Sequence, residues 1–423
     1  MIKFAQWHGV FAAGAASAAV FGLTGNALAG GFAVREQSAS LMGSAFAGAA
    51  AGGDLSSAFW NPAAFANAGS GINTQSSYTV LLPDSTLSNG TTSVAGGPGL
   101  PFAASSTEID KVGYLSSSYA SYRFDPQTVF GISVTAPFGL ATEPSNPDWA
   151  GRFHGREAEM LTLNFSPTVA YEVLPGVKVA AGLQVEYMRL RLWFGGPLPN
   201  APSSSIKVDD AFGIGATAGI ILNPAAGTSI GLGFRSSIDH KLSGYINSGT
   251  GLSAPVTAKL QTPEIVTASI SQALASNMRV LGTVEWTNWS RIDNIPILGA
   301  ISPLTRRPIA IDAHWDDGWF FSGGLEYDYS PQLTLRAGGA FEISPIQDPT
   351  QRLPQLPDSD RIWVTGGATY HYSDSTTFDL SYAHIFFDDA HIHRGALAFP
   401  PLILDADVSQ SADIVSVGLR TRW

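Results

Sequence analysis

The 423-residue sequence has no cysteine, and only 13% of its residues are Asp, Glu, Lys or Arg. Without cysteine there are no disulfide staples, thiolate metal sites or thiol nucleophiles. A soluble globular chain has about a quarter of its residues charged, so this balance argues against an ordinary cytosolic enzyme. Long apolar runs are missing too. After the first two dozen residues none approaches the ~20 residues of a membrane-spanning helix. Lys/Arg clusters are also absent, and the formal net charge is −11, so nothing neutralises a phosphate backbone and nucleic acid is set aside as a partner. What is present is 45% hydrophobic residues, 45 Gly, 26 Pro and 10 Trp, a mixture that points to one large β structure.

Residues 1–29 read as an export signal. Lys3 supplies a positive start, 10–23 is apolar but too short to cross a bilayer, and Ala27-Leu28-Ala29 fits a small-residue cleavage pattern. The competing reading, a membrane anchor helix, fails on length and on the Gly25-Asn26 break. The mature chain is expected to begin near Gly30 or Gly31.

The body alternates with a period of two. At the C-terminus Val415, Val417, Leu419, Thr421 and Trp423 interleave with Ser416, Gly418, Arg420 and Arg422, so one face of a strand suits lipid and the other a wet lumen. Comparable segments occur at 72–82, 111–123, 128–140, 161–171, 177–192, 211–222, 229–238, 264–273, 278–290, 319–329, 333–343, 362–372, 377–387 and 414–423. The even number closes a barrel with both chain ends on one side. Short turns near 125–126, 174–176, 223–224, 275–277, 330–331 and 373–374 alternate with long Gly/Pro/Ser-rich connections at 83–110, 141–160, 195–210, 240–263, 293–318, 344–360 and 388–413. Outer-membrane barrels sort loop lengths by side in this way, whereas a soluble sandwich has no reason to. The expected fold is therefore an all-β membrane protein: a 14-stranded antiparallel transmembrane β-barrel over 72–423 with a small, partly helical N-terminal hatch (plug) over 30–71. A flexible periplasmic tail is the alternative for 30–71, but it accounts poorly for Leu41, Met42, Phe46, Phe59, Trp60 and Phe65. The implied location is the Gram-negative outer membrane.

Three patterns that mimic chemistry are set aside. Gly227-Thr228-Ser229-Ile230-Gly231 matches the hydrolase elbow G-x-S-x-G, but a turn precedes it and a strand, not a helix, follows. His391 and His393 with Asp388 and Asp389 suit solvated loop residues better than a dedicated metal site. Asp358, Asp360 and Arg361 read as a loop-base ion network. No catalytic residue, metal or cofactor is expected.

Several segments together resemble the FadL/TodX (OMPP1) family of outer-membrane transporters of long-chain fatty acids and aromatic hydrocarbons. They are Gly31-Phe32-Ala33-Val34-Arg35-Glu36-Gln37-Ser38, Trp60-Asn61-Pro62-Ala63, the stretch from Pro137 to Glu143, Gly233 to Ser236, Glu285 to Ser290, Arg336 to Pro345, and Pro357 to Trp363. The resemblance implies a hatch-plugged fourteen-stranded barrel. It implies capture of a hydrophobic molecule by outer loops, a pocket closed by the mature N-terminus, and sideways exit through a gap where one strand kinks inward. By match the kink falls at Phe138-Gly139 after Pro137, which is physically sensible because Pro137 cannot donate to a ladder and Gly139 tolerates unusual backbone angles; an ordinary connection at the strand's end is the plainer alternative. Phe32 would lie in or beside the pocket, and Asn61-Pro62-Ala63 would present a fixed turn toward the gap or simply join two plug helices. Where the fatty-acid member carries two basic residues, the match places Phe194 and Asp316, which favours neutral hydrophobic ligands. Arg189 and Arg191 share a face and could still pair with an acid, or could line the lumen or rim.

Rival readings are a general diffusion porin for hydrophilic solutes, which fits poorly with a 40-residue plug and few charges to line a channel, and an outer-membrane hydrolase, for which only Ser229 speaks. The expected partners are a hydrophobic small molecule, outer-membrane lipid and lipopolysaccharide, and barrel-assembly machinery reading the last strand to Trp423, where the family more often ends in Phe. A closed barrel has no edge to satisfy, so a monomer is expected.

Overall fold

The computed structural model describes residues 30–94, 104–195, 202–301, 308–396 and 402–423; the expected leader, 1–29, lies outside the described residues. Fourteen antiparallel strands form a closed barrel. Closure comes from the first strand, Ile72–Val94, pairing with the last, Leu402–Arg422, from Asn73↔Arg422 to Val94↔Leu402. A closed barrel joins its first and last strands and so has no open sheet edge, the condition for strands to sit in hydrocarbon. No described helix is long and apolar enough to cross a membrane. The terminal strand follows the sequence pattern, with Val415, Val417 and Leu419 exposed and Ser416 buried. Phe124, Tyr329, Tyr372 and Trp423 stand exposed beside the short turns or at the chain end, where an interfacial aromatic belt belongs.

The structure changes two details of the sequence reading. Several long connections are folded as sheet: Asp239–Asn247 and Ser253–Gln261 form a hairpin docked on Ser204–Ala225, and Asn294–Ile301 pairs with Pro308–Asp312. Their backbone groups are thereby satisfied above the barrel rather than left to water. The turn expected at Asn223-Pro224 falls instead at Ala226-Gly227, where Ala225 faces Thr228 and Gly227 takes φ +77°. The left-handed conformation that a tight hairpin requires is available to Gly227 and closed to Pro224.

Residues 30–71 wind through the barrel interior. A short helix, Ala39–Met42, is capped by the Ser38 hydroxyl, which accepts from Leu41 N. Three 3-10 turns follow at Ala49–Ala51, Leu55–Phe59 and Pro62–Asn67, the last two capped by Asp54 and Asn61. Short polar caps suit such turns because their first N–H groups have no partner within the helix. Met42, Phe46, Trp60 and Phe65 pack with Leu81, Ile221, Phe320 and Trp363 from strands around the barrel. Burying each such side chain stabilises by about 1.5–3 kcal/mol. Glycine makes room for this plug: a Cβ on Gly231 or Gly233 would lie 1.8 Å from the carbonyl oxygens of Ala50 and Trp60.

Candidate functional site: an apolar chamber beside a broken strand

Above the plug the inner wall becomes apolar. On Glu157–Leu174 the inward series runs Thr168, Ser166, Asn164, Thr162 and then Met160 and Ala158; on Val177–Phe194 it runs Gln184, Glu186 and then Met188, Leu190 and Leu192. Met160, Ala158, Leu190 and Leu192 help line a cavity of about 900 Å³, counting its open mouth. Leu242, Leu260, Ile297 and Ile311 from the folded outer hairpins, with Trp315 from the connection that follows them, close its other sides. Of its 20 lining residues none is charged, and Gln355 alone carries an amide. Such a chamber favours burial of apolar surface at roughly 25 cal/mol per Å² and opposes an ion, which would lose hydration without finding a counter-charge.

The wall beside the chamber is interrupted. Thr128–Thr135 pairs with Gly113–Arg123 only from Ser118↔Val134 to Arg123↔Val129. After Ala136, Pro137 and Phe138 the strand resumes as Gly139–Thr142, which pairs with Glu157–Leu174. Among the described residues it forms no ladder with Gly113–Arg123, so Gly113–Ser117 lacks a neighbour on that side.

The N-terminal segment occupies the break. Val34 N donates to Pro137 O at 2.8 Å and Gly139 N donates to Phe32 O at 2.9 Å, a short antiparallel bridge. Gln37 adds a side-chain clamp, its Nε2 donating to Ala136 O at 2.8 Å. Phe32 meets Phe138, Trp289 and Trp315 edge-on or tilted, with centroids 5.7, 4.6 and 5.6 Å away, and so forms part of the chamber lining. The next residues are tied by buried ions: Arg35 reaches Glu285 at 2.7 Å and Glu342 at 3.3 Å, while Arg361 pairs with Asp358. Glu36 is buried beside them, and burial pushes its carboxyl up to about 7.

Residues 20–423 match the family model described as outer membrane protein transport protein (OMPP1/FadL/TodX). The chain belongs to this family. Outer membrane protein P1 of Haemophilus influenzae is 24% identical over 409 residues, covering 85% of this chain and 87% of that one. The long-chain fatty acid transport protein of Escherichia coli K12 is 23% identical, covering 64% and 70% of the two chains. A Pseudomonas aeruginosa FadL homologue has the same fold at a TM-score of 0.82, with 19% identity over 92% of this chain and 99% of that one. The Pseudomonas putida toluene transporter TodX aligns at a TM-score of 0.61 and 17% identity, over 88% and 94%.

In this family member Phe32, Pro137, Phe138 and Gly139 come together at the break. Asn61, Pro62 and Ala63 do not join them. The Asn61 amide donates instead to Ala50 O and to Ile220 O on Ser204–Ala225, and its Oδ1 accepts from Ala63 N. Arg189 and Arg191 are outside the chamber: Leu190 and Leu192 take the inward positions, so strand parity turns both arginines outward, where Arg191 pairs with Asp209 at 2.9 Å. Asp316 is exposed, and Phe194 is buried near the chamber without lining it. Ser229 lies in the strand Thr228–Arg235 and donates to Ala51 O at 2.8 Å, so it fastens the plug. Among the described residues no group of three His, Cys, Asp or Glu is arranged to hold a metal ion. The sequence reading missed Trp315, Ile297 and Ile311, because they sit in connections assigned to irregular structure. It also missed the bonding of Val34 and Gln37 to the break.

Proposed function

We propose that this chain is a passive outer-membrane channel for neutral hydrophobic compounds, with 30–71 as its hatch, 72–423 as its barrel, and 1–29 removed on export. The observation that carries this reading is the uncharged chamber whose wall includes Phe32, on the same segment that fills the strand break. A ligand entering past the outer hairpins dissolves in the chamber and competes with Phe32 for its aromatic neighbours. Displacing Phe32–Gln37 unpairs Pro137 and Gly139 and opens the wall between Gly113–Ser117 and Gly139–Thr142. Sideways release suits a greasy solute, because it passes to lipid without exposing apolar surface to water. A second cavity of about 440 Å³ supports this route, since it shares Leu140, Gln355 and Leu356 with the chamber and continues along Ala141 and Thr142. The working unit is a monomer in contact with lipid and lipopolysaccharide, inserted by the barrel-assembly machinery.

The test is uptake of labelled fatty acid, aromatic hydrocarbon and sugar by a Gram-negative strain lacking its own hydrophobic channel and expressing this chain. Hydrocarbon uptake that falls at least fivefold in Gly139→Trp, with barrel assembly intact, is the expected result. Sugar uptake without hydrocarbon uptake would sink the proposal.

A further inference from the structure

Buried carboxyl groups gather around the first described residues. Glu36, Glu285, Glu342 and Asp358 are each no more than 4% exposed, and they face two guanidiniums in direct contact, Arg35 and Arg361. Arg352 and Arg235 stand in the next layer. Arg352 gives its donors to the carbonyls of Asp358, His391 and Ile346, and Arg235 bonds Phe59 O. Neither oxygen of Glu36 has a hydrogen-bond partner. Glu36, whose carboxyl burial pushes up to about 7, adds only part of a negative charge, and what decides the cluster is which donors sit on Glu342 and Asp358.

The backbone supplies two of these donors. Gly30 N lies 2.8 Å from Glu342 Oε1, and Gly31 N lies 2.9 Å from Asp358 Oδ2. The fit is close at both positions: a Cβ on Gly30 would press on Glu342 Oε1 at 3.2 Å, and Gly31 sits at φ +62° with the Trp289 ring 3.0 Å from where its Cβ would be. As peptide nitrogens these groups carry only a fraction of a charge.

We propose that hydrolysis of the Ala29–Gly30 bond turns Gly30 N into an α-ammonium that pairs with Glu342 and latches residues 30–37 onto the wall. A leader peptidase supplies the catalysis and water the atoms: hydroxyl goes to the Ala29 carbonyl carbon, and the released amine takes up protons. The new charge lands between the Glu342 and Asp358 carboxyl groups, beside the Arg35 and Arg361 guanidiniums that already approach them. Export processing thereby completes the closed form of the chamber, and an unprocessed chain has a looser one. The latch bears on transport only through the gating role proposed above, and its test does not use transport.

The protein purified from outer membranes is first sequenced from its N-terminus, with Gly30 as the expected first residue. It is then acetylated with N-hydroxysuccinimidyl acetate at neutral pH, folded and after denaturation, and the N-terminal peptide is quantified against peptides carrying Lys178 and Lys241. We expect the α-amine to react at least tenfold slower in the folded protein, and Glu342→Gln to recover most of that loss. If Glu342→Gln fails to assemble, a chain with one Ala inserted between Ala29 and Gly30 serves, since its amine is carried off the carboxylate and labels quickly. A first residue other than Gly30, folded labelling as fast as unfolded, or protection unchanged in Glu342→Gln each overturns the latch. A protected amine in a protein that takes up no hydrophobic solute keeps the latch and removes the transport reading; fast labelling in a competent transporter does the reverse.

Discussion

Two halves of the same strands obey opposite rules. In the half of Glu157–Leu174 near the short turns, Thr168, Ser166 and Asn164 face inward and Val169 and Phe165 outward; toward the outer hairpins Met160 and Ala158 face inward and Glu159 and Glu157 outward. Val177–Phe194 changes over in the same way, between Glu186 and Met188. The inner surface is polar where it meets the plug, whose hydroxyls and carbonyls need partners, and apolar where it meets the chamber. The outer surface is apolar where lipid covers it and charged where it rises toward water. Period two thus fixes which residues share a side but not which side is greasy.

The largest break in that comparison should come from reversing it within one strand. Leu190→Arg puts a cation into a chamber with no lining carboxylate, and an unpaired buried charge is strongly unfavourable. Hydrocarbon uptake should fall at least tenfold. Arg191→Leu, one residue away, removes a partly exposed pair with Asp209, which contributes less than about 1 kcal/mol, and donors to the Leu190 and Val208 carbonyls on the outward side. Its uptake should stay within twofold of the unaltered protein. Equal losses in the two variants, both assembled as heat-modifiable barrels, would show that the inward and outward assignments are wrong.

A smaller effect is expected at the boundary of the halves. The Glu36 carboxyl, buried near Arg35, Glu342 and Arg361, is raised from 4.5 to about 7, so the folded segment binds a proton that the unfolded one has released. Docking of residues 30–37 is therefore firmest below pH 4.5 and weakens as pH rises through about 7, by about 3 kcal/mol in all. Glu36→Gln should flatten that dependence and slow hydrogen exchange of residues 34–37 at pH 8. Exchange that slows with rising pH in the unaltered protein, after correction for its intrinsic rate, would contradict the sign.

How far the sequence could be read follows from the same division. The lipid-facing half declared itself, because apolar residues on alternate positions, joined by short turns, suit little besides a sheet with lipid on one face. The break at Pro137 to Gly139 was placed by match to the family, against the plainer alternative of a strand-end connection, and Pro137, with no N–H to give a ladder, agrees with an interruption there. The chamber was not legible. Its lining comes partly from Leu190 and Leu192, whose apolar character looks lipid-facing by the rule of the other half, so parity alone left Arg189 and Arg191 open between pocket, lumen and rim. The rest comes from Leu242, Ile297 and Ile311, on connections whose pairing depends on contacts distant in sequence. For Asn61 the resemblance offered a turn toward the gap or a plain link between plug helices; it caps Pro62–Asn67 just after Leu55–Phe59, packed where a Cβ on Gly219 would lie 1.9 Å from its Oδ1.

The smallest predicted effect concerns the polar half and the motif that mimics a nucleophile. Ser229→Ala removes a hydroxyl that donates to Ala51 O, a loss worth about 1 kcal/mol. It leaves the close approach of Gly231 to Ala50 untouched. Uptake should be unchanged and the thermal midpoint lowered by a few degrees at most. Gly231→Ala is the opposite case: the added methyl collides with the Ala50 carbonyl and must dislodge the plug, so its midpoint should fall well below that of Ser229→Ala. If Ser229 were a nucleophile, the order of damage would reverse, with an ester-cleaving activity lost in Ser229→Ala while the barrel kept its stability. The strand geometry makes the other order the physical one, because Ser229 and Gly231 fall on one face, two residues apart, and that face is already filled by the plug.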